Sequence, residues 1–245
     1  IFLILMGIFL IKTGQDTTAG FLLALTFGSV PITIFLLAFI IIWSFSRKRW
    51  SILGAYFSGV AFIMAVTLLM LPSWPLELFR VNLALFENWN WVKTPLAMLA
   101  ETLPGIENPL SIFLHAVFLI YFIFLVITTW ETTGRIFNWK SLVMLVVAYL
   151  FNSQASIVHL FLVFPAAFLV FRVWSERWGN PGMILSWLLI ILAAGGSWVA
   201  FLPDGDFTQI PSMPFFTIGL PLLVLIGMIW TRWWALNIRK LPFEN

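Results

Sequence analysis

Three side chains in one short run could do chemistry in a largely apolar chain. Asn152 and Gln154 belong to the polar stretch Asn152-Ser153-Gln154-Ala155-Ser156, and His159 lies one turn into the apolar run that follows. Polar groups at membrane depth are tolerated only where protein or water surrounds them, so the stretch marks an outward-facing cavity. An ionisable residue in such a segment is a functional candidate by default. The competing reading of His159 is a neutral imidazole that hydrogen-bonds a neighbouring helix. His115 invites the same two readings, with less to favour chemistry. Two histidines with no carboxylate in their own spans do not suggest a metal site.

Arg80 and Lys93 are the second pair of interest. They are isolated cations in the polar interruption between Pro72 and Pro109, and could hold the phosphate of a lipid carrier. The plainer reading pairs them with Glu77 or Glu87 as solvated charges. Asp204 and Asp206, in Leu-Pro-Asp-Gly-Asp-Phe, read as a turn before they read as a site. Cysteine is absent, which removes disulfides, thiolate nucleophiles and cysteine metal sites. No Walker-type loop, Gly-x-Ser-x-Gly or His-Glu-x-x-His occurs. The span middles carry no line of charges, which weakens the case for a pump or coupled transporter.

The elements that must position these residues follow from composition. Of 245 residues 62% are hydrophobic and 9% charged, against roughly 25% charged in a soluble domain. The fold class is therefore all-α, a polytopic transmembrane helical bundle forming one domain over 1–245. Eight spans or part-spans are expected: Ile1–Ile11, Ala19–Trp43, Ile52–Leu71, Leu110–Trp130, Ser141–Phe151, Ile157–Phe171, Met183–Leu202 and Pro214–Trp230. Continuous rather than alternating apolar runs argue against a β-barrel. Residue 1 is Ile inside an apolar run, so the sequence is expected to begin within a longer protein, its first span truncated.

Two of these spans are irregular. Ser141–Phe151 makes about 16 Å of helix, short for a hydrocarbon core near 30 Å. Ala19–Trp43 carries Gly28-Ser29-Val30-Pro31 near its middle, where Pro31 should kink a single crossing. The long loop, 72–109, should hold two interfacial pieces. In Leu76–Phe86, Leu76, Phe79, Leu83 and Phe86 recur at helical spacing, and Pro95–Leu103 makes a second, shorter amphipathic piece. Trp89 and Trp91 between them suit the headgroup level.

Charge places the two sides. With the Arg47-Lys48-Arg49 turn in the cytoplasm, alternating spans collect Arg135, Lys140, Arg172, Arg177, Arg232, Arg239 and Lys240 on that side. Only Lys12, Arg80 and Lys93 fall opposite, as the positive-inside rule expects. Asp16 falls opposite too, the loop faces outward and the C-terminus is cytoplasmic.

The order of features resembles a family. The stretch AGFLLALTFGSVPITIFLLAFIIIWSFSRKRW, from Ala19 to Trp50, is similar to a segment of the family 87 membrane glycosyltransferases of DUF2029 type. LPSWPLELFRVNLALFENWNWVKTPLAML resembles their outer loop, and SQASIVHLFLVFPAAFL resembles a later stretch that ends near Pro165. The resemblance implies a GT-C architecture, a polyprenyl-phosphate sugar as donor and an active site at the outer face of a cell membrane, with a bacterial source. It places the acidic catalytic base in a first outer loop that would precede residue 1. Two departures stand out: Val30 where the family tends to have Lys, and His159 where it tends to have Asp. Both remove charge from the site and leave catalytic competence open.

Two function classes follow. The first is a glycosyltransferase-like protein that moves a sugar from a polyprenyl-phosphate donor to a lipid or glycan acceptor, with Arg80, Lys93, Asn152, Gln154 and His159 lining the donor site. No metal ligand is identified; the resemblance leaves a divalent cation open, and the lipid-linked sugar is substrate rather than cofactor. The second is a non-catalytic subunit of a larger membrane assembly, and a permease is third. Expected partners are membrane lipids, the lipid-linked sugar and other membrane subunits, and nothing points to nucleic acid.

Overall fold

The computed structural model describes residues 2–87, 94–101, 103, 105–128, 134–152, 157–201 and 218–236. Among the described residues every regular element is helical and no strand occurs. Two helices, Trp50–Met70 and Glu107–Ile127, are long and apolar enough to cross a membrane. At 21 residues each they measure about 31 Å.

The first four helices are arranged by one ion pair. α1 (Phe2–Thr13) and α2 (Asp16–Ala24) form a hairpin whose turn needs Gly14, at φ 82°. A 3-10 turn over Leu25–Ser29 leads to α3 (Val30–Ser46), and α4 (Trp50–Met70) follows. Arg49, just before α4, holds Asp16, the first residue of α2: Nη2 lies 2.7 Å from Oδ1 and Nε donates to Oδ2 at 2.9 Å. Its Nη1 donates to Ile11 O at the end of α1, 3.2 Å away. The two turns of the chain therefore meet at one end of the bundle.

Small residues then let α2 and α4 lie side by side. A Cβ on Gly20 would stand 2.5 Å from Ile52 O and 2.7 Å from the Ala55 Cβ, and one on Gly59 would stand 2.8 Å from the Ala24 Cβ. Position 20 faces 52–55 and position 24 faces 59, so the two helices run parallel. Small residues permit such backbone approach where apolar surroundings give helices little other reason to associate.

These contacts correct the expected single crossing Ala19–Trp43. Asp16 and Arg49 bracket that segment, yet they touch, so the chain goes out through α2 and returns through α3. Pro31 does not kink a continuous helix. It falls in the first turn of α3, where a missing backbone donor costs nothing. Lys12 and Asp16, expected opposite the Arg47–Arg49 turn, lie at the same end as it.

Several of the remaining helices gather on α8 (Gly134–Phe151). Its residues from Val143 to Phe151 are all buried, 3% exposed or less. α3 crosses it through Phe39 and Trp43, which pack on Phe137 with ring centroids 5.9 and 4.1 Å away. α7 (Glu107–Ile127), α10 (Phe164–Trp178) and α12 (Leu220–Leu236) also pack on it. α11 (Asn180–Phe201) packs mainly on α10.

The expected short span Ser141–Phe151 is thus the second half of an 18-residue helix, about 27 Å long. The charged stretch before it is helical because its polar groups find protein partners. The buried Lys140 ammonium donates to Thr128 O and Oγ1 at the end of α7. A cation there completes the orphan carbonyls of a helix C-terminus. Trp139 Nε1 donates to Met228 O of α12 at 2.7 Å.

Gly20→Leu should lower the stability of the purified protein by about 1–3 kcal/mol or more, the usual cost of overpacking. Gly54→Leu, on the same helix pair but with nothing within 4 Å of its added Cβ, should be near neutral. Thermal unfolding in detergent, compared between the two variants, checks it.

Candidate functional site

Asn152 and His159 sit where α8 ends, at the end of the bundle away from Arg49. α8 finishes with a tightened turn, the Asn152 N–H donating to Tyr149 O at 3.1 Å. The Asn152 side chain is buried at 1% exposure. His159 lies in α9 (Ile157–Leu160), half-buried. Its Nδ1 is 3.5 Å from Asn152 Nδ2, so the amide can donate to the ring. A buried carboxamide has to find partners, because a polar group left unpaired costs about 1–3 kcal/mol. Residues 153–156, the rest of the polar stretch, lie outside the described residues.

The loop contributes a second polar pair. α6 (Pro95–Glu101) is set into the bundle: Pro95, Leu96, Ala97 and Ala100 are buried, and it packs on α7 and α8. Its preceding residue, Thr94, is buried and caps it, Oγ1 accepting the Ala97 N–H at 3.2 Å. The same oxygen is 2.8 Å from His115 Nε2. His115 is buried in α7, and its Nδ1 is 2.7 Å from Ser111 O. A carbonyl only accepts, so Nδ1 carries the proton, and the neutral ring takes the Thr94 hydroxyl at Nε2.

The two pairs are neighbours. The His115 ring meets Phe151 edge-on at 5.5 Å, and Asn152 is the next residue along α8. Loop, α7 and the end of α8 thus converge on one polar patch of Thr94, His115, Asn152 and His159. Thr94, His115 and Asn152 are buried in it, and His159 is its half-buried member. Among the described residues no three metal-ligating side chains gather anywhere.

Arg80 belongs to a different helix. It lies on α5 (Trp74–Glu87), which packs on α4. It is exposed, and makes no hydrogen bond or ion pair among the described residues. Glu77 bonds the Ser73 hydroxyl at 3.3 Å instead. Lys93 and Gln154, with Asp204, Asp206, Trp89 and Trp91, lie outside the described residues. His115 and Thr94 carry more of the site than their spacing indicated. The available signal was a buried-span histidine with a threonine one residue ahead of Pro95, a helix-start pattern.

Thr94→Val should cost about 1–3 kcal/mol, because it strands both the Ala97 N–H and His115 Nε2. Thr94→Ser should be close to neutral. In a double-mutant cycle with His115→Leu the effects should fall short of additivity, as read by thermal unfolding in detergent.

Compared with protein-family models, with curated proteins and with solved structures, the chain matches none.

Proposed function

We propose that the chain is a multi-spanning membrane protein of glycosyltransferase type. It takes a sugar from a polyprenyl-phosphate donor and passes it to a lipid or glycan hydroxyl. One observation carries the reading: a polar patch, built on the buried Asn152 and on His159, lies at the end of a bundle whose outer surface is apolar. Phe113, Ile120 and Ile127 on α7, and Ile184, Trp187 and Ile191 on α11, are all more than half exposed. Such a surface suits lipid tails, and the patch suits the polar head of a lipid-linked substrate. The resemblance of Ala19–Trp50 and of the loop to family 87 transferases points the same way.

In this reading Asn152 and His159 bind and orient the sugar phosphate or the acceptor hydroxyl. Thr94 and His115 hold α6 against them. The end carrying Lys12, Arg47, Lys48, Arg49, Lys140, Arg177 and Arg232 faces the cytoplasm, and the patch faces outward.

Two measurements test this. Purified protein in liposomes should transfer labelled sugar from a polyprenyl-phosphate donor, and Asn152→Leu or His159→Ala should lower the rate about a hundredfold, the scale of a misplaced reactant. No transfer by the unmodified chain would leave a non-catalytic membrane subunit as the better reading. For topology, the chain has no cysteine of its own. Single cysteines at Lys12 and Lys48 should therefore be labelled from the same side of sealed vesicles, and one at Ser73 from the opposite side. Opposite labelling of the first two would restore a crossing between them.

A further inference from the structure

The α5 helix packs on α4 and carries several exposed apolar side chains. Three residues separate it from the end of α4, and α4 is the length of a hydrocarbon core. That fixes the start of α5 at the depth where acyl chains meet headgroups. Several of its apolar side chains are exposed, Val81 among them at 56% on another face. Leu76 is 64% exposed, Phe79 63% and Leu83 45%, and the three follow one another at helical spacing, on one face. The exposed apolar surface is continuous with the end of α4, where Leu69 is 86% and Met70 76% exposed. Arg80, at the edge of that face, is exposed and bonds to nothing among the described residues.

Water is a poor partner for this surface, at roughly 25 cal/mol for each Å² of apolar area. The side chains fit a layered medium: carbon beneath, phosphate at the level of Arg80. A long basic side chain beside an apolar row reaches the phosphates while its stem stays in carbon.

We propose that α5 is an interfacial anchor lying in the headgroup–acyl boundary, and that Arg80 binds the phosphate of bulk membrane lipid rather than that of a sugar donor. Leu76, Phe79 and Leu83 enter the acyl region. Glu77 and Ala84 face the aqueous side. The anchor sets the height of the loop, and with it α6 and the patch that α6 covers. The assignment rests on the membrane reading alone, so the transferase reading can fail without it.

The test uses the full chain with single cysteines at Leu76, Phe79, Leu83, Glu77 or Ala84. Each carries an environment-sensitive fluorophore and is reconstituted in phosphatidylcholine vesicles with or without phosphatidylglycerol. Labels at 76, 79 and 83 should shift to the blue and be quenched by a lipid with a shallow nitroxide. Labels at 77 and 84 should be quenched by aqueous iodide instead. Arg80→Gln should raise iodide access at position 79 about fivefold in vesicles containing phosphatidylglycerol, the worth of roughly one interfacial cation, and less in phosphatidylcholine alone. Equal iodide access at all five positions would overturn the proposal. So would protection at 76, 79 and 83 without lipid quenching, with crosslinking between chains, which would assign the face to a second copy. Failure of the protein to float with vesicles would instead sink the membrane reading beneath it.

Discussion

The arrangement depends on the complete burial of α8. From Val143 to Phe151 every side chain is enclosed, so both helix ends must settle their polar groups against protein. At the near end, Lys140 takes the last carbonyls of α7 and Trp139 the carbonyl of Met228. At the far end, Asn152 reaches His159. An enclosed helix cannot leave polar groups to solvent, and each of these bonds fixes a neighbouring element in turn. The polar patch is a consequence of that closure, since it is where a fully covered helix stops.

Two separate tethers hold the periphery to this centre. The Asp16–Arg49 pair joins the turns of α1–α2 and α3–α4, and the Thr94–His115 bond joins the loop to α7. Both link segments that sequence separates, the first by 33 residues and the second by 21. The first is part-exposed and the second buried. A buried hydrogen bond is costly to leave broken, so the second tether specifies an arrangement as well as stabilising it.

Local pattern made some of this legible. α4 and α7 are long apolar runs, and they appear as helices close to their expected limits. The Leu76–Leu83 row announced α5, and the polar stretch after Phe151 announced the end of α8. What escaped was whatever a distant partner decides. Nothing near Ala19–Trp43 says that Asp16 will return to Arg49, so one kinked crossing was the economical expectation. Arg135 to Lys140 reads as a loop until α7 supplies carbonyls for the lysine. Thr94 and His115 look ordinary apart and become a site only when α6 is set into the bundle. Arg80, an isolated cation that suggested a substrate phosphate, lies exposed on α5.

The out-and-back path of α2 and α3 bears on how the chain could be assembled. α2 has nine residues, about 14 Å of helix, too little to be held across a bilayer by its own hydrophobicity. It packs on α1, made before it, and on α4, which leaves the ribosome later. During synthesis α2 therefore has only α1 beside it until Ala55 and Gly59 arrive to receive it. Chain order thus lets the packing of this segment be completed only once α4 has been made.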